Sequence, residues 1–265
     1  MKISVTIITF NEAENIKAAC ESVAWADAIL VVDSESTDET REIAAGCGAT
    51  VLIRKWEGFS EQKQFAIEQA QYDWILSLDA DEQISPELGA EILKIKELPI
   101  ESLADGYKIP RRTFYMNQWI RGGGWYPDRQ LRFFNRTRGA WKNVLIHESV
   151  TMLAGSKIAN LKHDILHYSI PDASYHQRQI GERYAPLAAR QMFESGRRTT
   201  MLKLVTAGMI AFLQTFLFKG GWRDGLAGYC IARFAAHHAF LKHLLLWEMQ
   251  ENGKWKTENG KRSAN

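Results

Sequence analysis

The sequence predicts an α/β protein: a mixed, mostly parallel sheet with helices on both faces, followed by a C-terminal helical extension. Three observations carry this. Through the first hundred residues, short β-branched apolar runs alternate with amphipathic stretches of helical length. Polar clusters stand directly after several of those runs. From Pro171 onward, strand patterns give way to long apolar and basic helical stretches. Strand–helix alternation builds a parallel sheet through crossover connections. Such sheets bind ligands outside the carboxyl ends of their strands.

Ile3–Thr9 is apolar and β-branched, as in a strand buried on both faces. Asn11 is positioned to cap a following helix that carries Ile16, Ala19, Cys20 and Val23 on one face. Ile29–Asp33 is the second strand. Ser36, Thr37 or Asp38 caps the next helix, which stops at Gly46 and Gly48. Thr50–Ile53 is the third strand, and Ser60 opens a helix bearing Phe65, Ala66 and Ala70. Trp74–Leu78 is the fourth strand, and Pro86 starts another helix at a favourable first-turn position. From Asp105 the pattern changes: Tyr107–Arg112, Gln130–Asn135 and Val144–Val150 read as antiparallel strands. Between them Gly122-Gly123-Gly124-Trp125-Tyr126-Pro127 is either a loop that closes on a substrate or a plain connection. Asp172–Ser195 reads as an amphipathic helix or helix pair. Met201–Phe218 is apolar but interrupted by Lys203, Thr206, Gln214 and Thr215, so its unbroken stretch is shorter than the roughly twenty residues of a spanning helix. Leu226–Met249 follows the break at Gly220-Gly221. Residues after Asn252 read as a polar tail.

The 265 residues, 46% hydrophobic and 24% charged, suffice for one large or two small domains. The net charge of +2 hides an asymmetry: Arg178–Arg262 holds fourteen Lys/Arg against six Asp/Glu. That surplus points to an anionic partner such as a membrane surface or nucleic acid. Tryptophans and apolar residues interleaved with the basic ones favour a membrane interface, or alternatively a partner helix or second copy, over nucleic acid. The three cysteines, Cys20, Cys47 and Cys230, show no metal or disulfide spacing and fit small buried hydrophobes in a reducing cytoplasm. Met1 leads straight into a strand, without a signal-peptide pattern.

The chemistry concentrates at Asp79-Ala80-Asp81-Glu82. Two carboxylates one residue apart, just past a buried strand, can converge on a hard divalent cation. Mg²⁺ and Mn²⁺ take oxygen ligands and commonly share one or two carboxylates with substrate phosphates. Solvated turn carboxylates are the competing reading. Phe10-Asn11-Glu12 and Asp33-Ser34 fall at the same sheet edge, and Asp33, an acid ending an apolar strand, has no evident structural task.

Val5-Thr6-Ile7-Ile8-Thr9-Phe10-Asn11-Glu12, Val31-Val32-Asp33-Ser34-Glu35-Ser36-Thr37-Asp38 and Leu78-Asp79-Ala80-Asp81-Glu82, in this order, resemble family 2 glycosyltransferases of the GT-A fold. The resemblance continues through Pro127–Arg132, Ile146-His147-Glu148 and Leu166–Ser169. It is similar over its length to bacterial lipopolysaccharide inner-core β-1,4-glucosyltransferases, which move glucose from UDP-glucose to a heptose. The resemblance implies that Thr9, Phe10, Asn11, Glu12 and Asp33 hold the nucleoside, that Lys63 approaches the nucleotide, and that Asp79, Ala80 and Asp81 line the diphosphate. Asp81 is then the direct ligand of Mg²⁺ or Mn²⁺, with Asp79 touching ribose or metal. Gln83 and His167 compete as a further ligand. Inverting transfer needs one base for the acceptor hydroxyl; Glu148 is the first candidate and Asp128 the second. Arg129 and Arg132 either bind phosphates or form structural ion pairs.

The chain departs from the family where glycine is usual and Glu35 stands, and again at Glu39. Glu tolerates a left-handed backbone poorly, so a different loop after Asp33 is expected there. The expected organisation is a glycosyltransferase domain over 1–170, with a nucleotide-binding half (1–100) and an acceptor-side half (101–170). A membrane-associating helical extension over 171–252 and a flexible tail over 253–265 follow. The expected partners are UDP-glucose, a lipopolysaccharide-core or other glycolipid acceptor and an anionic membrane surface, on the inner face of the cytoplasmic membrane. A homo-oligomer is compatible with the apolar helices. Transfer to a polyprenyl phosphate is the enzymatic rival, and a non-catalytic module binding nucleotide or nucleic acid is the rival of another class.

Overall fold

The computed structural model describes residues 1–142 and 149–262, from residue 253 as backbone only. The chain forms two compact units, one of residues 1–113 and 127–169, the other of residues 114–126 and 170–265.

The first unit is built on β1 (Ile3–Thr9), β2 (Ala28–Asp33), β3 (Thr50–Ile53) and β4 (Trp74–Asp79), parallel in the order β3-β2-β1-β4. Every residue of β1 is buried, as its unbroken apolar and β-branched run requires of a central strand covered on both faces. The crossovers carry α1 (Ile16–Ser22), α2 (Thr40–Gly46) and α3 (Phe59–Gln69). The sheet continues past β4 with antiparallel β8 (Asp128–Asn135), then β6 (Gly106–Tyr115), β12 (Ile165–His167) and β5 (Glu82–Ile84). α4 (Pro86–Lys96) starts with Ser85 accepting the Leu88 N–H at 3.1 Å and Pro86 in its first turn. β11 (Ile158–Asn160) adds to β6, and β9 (Gly139–Trp141) pairs with β10 (Val150–Met152). Ile3, Val5, Ile7, Val31, Leu76, Leu78, Ile92 and Phe133 belong to one apolar core. The expected strand Val144–Val150 lies almost wholly outside the described residues.

Two local expectations are corrected. Asn11 does not cap α1, whose N-cap is Asn15; Asn11 sits in a turn at φ +53° and bonds to the next loop instead. Glu35 adopts φ +65°, the left-handed conformation for which glycine would be easier. The loop therefore takes that backbone at a cost of about 1–2 kcal/mol rather than avoiding it.

In the second unit, α5 (Ala173–Arg178) and α6 (Ala185–Glu194) are joined through a π-helical turn over Gln179–Tyr184. That wider turn ends just before Pro186, whose ring would clash with the carbonyl of residue 182 in a regular helix. Asp172 caps α5 by accepting the Tyr175 N–H at 2.7 Å. α7 (Met201–Leu213) runs on through a π turn to Phe218, and α8 spans Gly225–Arg262. Met201–Phe218 forms one continuous helical stretch of 18 residues with mean hydropathy 1.7 and only 6% of it buried, so by length and composition it reaches what a membrane crossing needs. The polar residues expected to shorten it do not break the helix. Nor does α8 end at Asn252: no proline follows to interrupt its hydrogen bonds, and the backbone stays helical through the first ten residues of the expected tail.

The glycine loop belongs to this second unit. Both oxygens of the buried Asp224 carboxylate accept backbone N–H groups, from Arg121 at 2.9 Å and Gly122 at 2.8 Å, and Gly123 N–H donates to the Lys219 carbonyl at 2.9 Å. Trp125 packs beside Tyr115 and His176. The loop, expected either to close on a substrate or to be a plain connection, is fastened through its backbone.

Candidate active site

Strand register sets the site. Thr9 pairs with Asp33, and Ile8 with Asp79, so the ends of β1, β2 and β4 lie side by side at one sheet edge. The loops leaving β1 and β2 are laced together there. Asn11 N–H donates to Ser36 Oγ at 2.8 Å, Thr37 N–H to Asn11 Oδ1 at 2.8 Å, Glu12 N–H to Thr40 Oγ1 at 2.8 Å, and Ala13 N–H to Asp38 Oδ2 at 3.1 Å. Asp33 is fully buried and does have a structural task. Its carboxylate accepts the Ser36 N–H at 2.9 Å and the Ser36 hydroxyl, closing the loop onto the residue three positions on, with Arg41 Nε 3.9 Å away. Phe10 stands 55% exposed beside this rigid edge, an aromatic face open for stacking.

The two carboxylates of Asp79-Ala80-Asp81 occupy different electrostatic settings. Asp79 is neutralised twice: Lys63 Nζ lies 2.8 Å from Oδ1 and Arg132 donates to Oδ2 at 3.0 Å. The Lys63 side chain is fully buried and its ammonium stands over the Trp141 ring. Burial pushes the Asp79 carboxyl up, but the Lys63 and Arg132 charges outweigh it and hold the group well below the usual carboxylate range. The buried Glu82 extends the network. It accepts the Asp79 N–H at 3.0 Å and pairs with Arg132 at 3.4 Å and Arg111 at 3.1 Å. Burial raises its carboxyl, and the opposing pull of Arg132 and Arg111 leaves it lowered. Arg111 in turn grips Asp128 Oδ2 through Nε at 3.0 Å and a terminal nitrogen at 2.7 Å, while Gln130 donates to Asp128 Oδ1 at 2.7 Å. Arg132 is thus an ion-pair residue, and Arg129 donates to the Leu161 carbonyl at 2.9 Å.

Asp81 is different. Its Oδ2 lies 3.4 Å from His167 Nε2, and among the described residues the buried Nδ1 of His167 has no hydrogen-bond partner. β12 brings the histidine there: His167 pairs with Glu82 across β5, and Tyr168 N–H donates to the Asp81 carbonyl at 2.9 Å. The Glu12 carboxyl is raised by burial, lowered by a hydrogen bond from Asn15, and raised again by the charge of Asp81, so two carboxylates of like charge face each other. Among the described residues no three His, Cys, Asp or Glu side chains form a ready metal cage. The donors present, Asp81 and His167, suit an ion whose remaining ligands come from substrate phosphate and water. Gln83 follows Glu82 on β5, and Glu148 lies outside the described residues.

Glu82 and Arg111 are what sequence reasoning did not assign, and of the two alternatives for Arg132 the ion pair is the one seen. A signal existed: Asp128, Gln130 and Arg132 place polar groups at every second position of a strand, hence on one face of it.

The model of glycosyl transferase family 2 matches residues 4–160. The lipopolysaccharide core biosynthesis glycosyltransferase LpsC of Rhizobium meliloti is 30% identical over 257 residues, covering 91% of this chain and 90% of that protein. An uncharacterized glycosyltransferase of Rickettsia felis is 32% identical over 251 residues, covering 91% of this chain and 88% of its own. Among solved structures, the mannosyltransferase PcManGT of Pyrobaculum calidifontis, in complex with GDP-Man and Mn²⁺, shares the fold with a TM-score of 0.56. That match is 14% identical and covers 93% of this chain and 87% of the other.

Proposed function

The chain belongs to glycosyl transferase family 2 and is a glycosyltransferase, and on that premise we propose that it moves glucose from UDP-glucose onto a heptose of lipopolysaccharide core at the cytoplasmic membrane face. The observation that carries the reading is the single sheet edge on which the rigid Asn11–Ser36 lacing, exposed Phe10 and the Asp81–His167 pair stand together. The similarity to LpsC supports the core-oligosaccharide acceptor.

In this reading Phe10 stacks on the base, and the buried Asp33 carboxylate acts through the loop it closes, which borders the uracil. Lys63 and Arg132 keep Asp79 ionised and fixed, so its backbone and that of Ala80 border the diphosphate at a constant height. Asp81 and His167 would hold the divalent cation. Bound there, Mg²⁺ or Mn²⁺ supplies Lewis-acid stabilisation to the departing nucleoside diphosphate. Glu148 takes the acceptor hydroxyl proton. The engagement of both Asp128 oxygens by Arg111 and Gln130 favours Glu148 over Asp128 as base. Transfer to a polyprenyl phosphate is the second reading, favoured by the exposed apolar length of Met201–Phe218. In both, that helical surface seats the enzyme peripherally on the membrane.

The test is nucleoside diphosphate release (UDP or GDP) from a donor panel of UDP-glucose, UDP-galactose, UDP-N-acetylglucosamine and GDP-mannose, with Mn²⁺ or EDTA. UDP-glucose with Mn²⁺ should be turned over fastest, and Asp81→Ala should abolish turnover. Turnover by Asp81→Ala at the parental rate overturns the metal assignment.

A further inference from the structure

The segment between α6 and α7 is bolted to α8 through buried Thr199. Its N–H donates to Gln250 Oε1 at 2.6 Å, Gln250 Nε2 donates to its carbonyl at 3.3 Å, and its hydroxyl bonds His243 Nδ1 at 2.9 Å. Arg197 and Lys203 lie two and four residues from Thr199, and Lys242 adjoins His243 on α8, so the Thr199–His243 bond sets the two pairs of basic residues beside one another. Burial and then the charge of Arg197 lower the Lys242 ammonium. Burial, then Lys242, Lys203 and Arg197, lower the His243 imidazole. Among the described residues no carboxylate forms an ion pair with Arg197, Lys203 or Lys242. Glu194, the acid nearest to Arg197 in sequence, is taken by Arg190 at 2.7 Å. Elsewhere the fold neutralises its buried cations with carboxylates, as Arg111 and Arg132 show. Here it gathers cations and leaves them to an anion from outside.

The same helix continues from this cluster as a bare apolar stripe. Leu202, Val205, Met209, Leu213 and Leu217 recur every three or four residues and are exposed. A free phosphate or a nucleic acid has no use for that stripe, whereas a bilayer offers phosphate and acyl chain side by side.

We propose that Arg197, Lys203, Lys242 and His243 form a phosphate site for the headgroups of anionic phospholipids, seating the apolar stripe of α7 on a negatively charged membrane. This rests on the membrane-seated reading above and specifies the lipid chemistry. The test is flotation of the full chain with phosphatidylcholine vesicles, with and without phosphatidylglycerol, at constant ionic strength. Each cation near an anionic surface contributes about fivefold, so the Arg197→Gln, Lys203→Gln, Lys242→Gln chain should bind phosphatidylglycerol vesicles on the order of a hundredfold more weakly. Its binding to pure phosphatidylcholine should stay at the parental level. Circular dichroism checks its fold, and Arg197→Gln alone, at an exposed position, should show a smaller loss of the same kind. An undiminished preference for phosphatidylglycerol overturns the site and leaves membrane seating intact. Failure of the parent chain to float with either vesicle overturns both. Loss of flotation to added inorganic phosphate at matched ionic strength assigns the site to free phosphate and overturns the lipid assignment.

Discussion

At the scale of residues, the decisive feature is the unequal treatment of two neighbouring acids. Asp79 is saturated by Lys63 and Arg132, whereas Asp81 pairs with His167 and feels the like charge of Glu12. Two outcomes follow. Replacing Lys63 with Met removes the largest charge holding Asp79 down. Breaking a buried pair costs about 3 kcal/mol or more, read as a lower melting temperature at neutral pH. The pH effect has a definite sign. Asp79 and Glu82 are depressed in the folded state, so they contribute stability above their unfolded values near 4. That stability is lost only as pH falls through the lower folded values. Lys63→Met raises the folded value of Asp79, and its acid-unfolding midpoint, followed by circular dichroism, should move to higher pH. An unmoved midpoint shows that Lys63 does not govern Asp79. For His167→Ala, the Mn²⁺ concentration giving half-maximal UDP release should rise about tenfold or more; an unchanged Mn²⁺ requirement removes His167 from the metal site.

At the scale of elements, α8 and the turn before it depend on backbones approaching closely. A Cβ at Gly228 would stand 1.7 Å from the Gly221 carbonyl oxygen, and one at Gly122 2.3 Å from that of Gly220. These are clashes with backbone, which cannot swing aside, so Gly228→Ala should lower stability by about 3 kcal/mol or more. Gly181→Ala, where the added carbon meets nothing within 4 Å, should be neutral or slightly stabilising in the same thermal melts. Equal melting temperatures for the two variants contradict the close approach of the Gly221 turn to α8. The succession of α1 to α4 and the parallel strands between them followed from hydrophobic period, whereas the expected start signal holds only at α4 with Pro86; α2 starts after Glu39 rather than on Ser36, Thr37 or Asp38. The fastening of Gly122–Trp125 did not, because its anchor, Asp224, lies 102 residues away from Gly122.

At the scale of the whole molecule, the two units divide the work of the proposed function: the first carries the sheet edge, the second the exposed helix. Leu202→Ser, Val205→Ser and Met209→Ser together remove apolar surface of the kind that stabilises membrane contact by about 1.5–3 kcal/mol per side chain when fully buried. The triple variant should lose vesicle flotation by at least about tenfold while keeping UDP release with a soluble acceptor; parental flotation would place the membrane contact elsewhere. The sequence by itself determined the alternating α/β half, the shared edge of Phe10-Asn11-Glu12, Asp33 and Asp79–Asp81, and the family, because hydrophobic period and motif order are local properties. Tertiary structure alone decided which of those acids is available. The partners that neutralise Asp79 and flank Asp81 come from α3, β8 and β12, and Arg132 stands 53 residues from the Asp79 it pairs with. Only the antiparallel return of β8 along β4, and of β12 along β5, sets those charges side by side, and charge at a few ångströms is what separates a structural carboxylate from one left for a ligand.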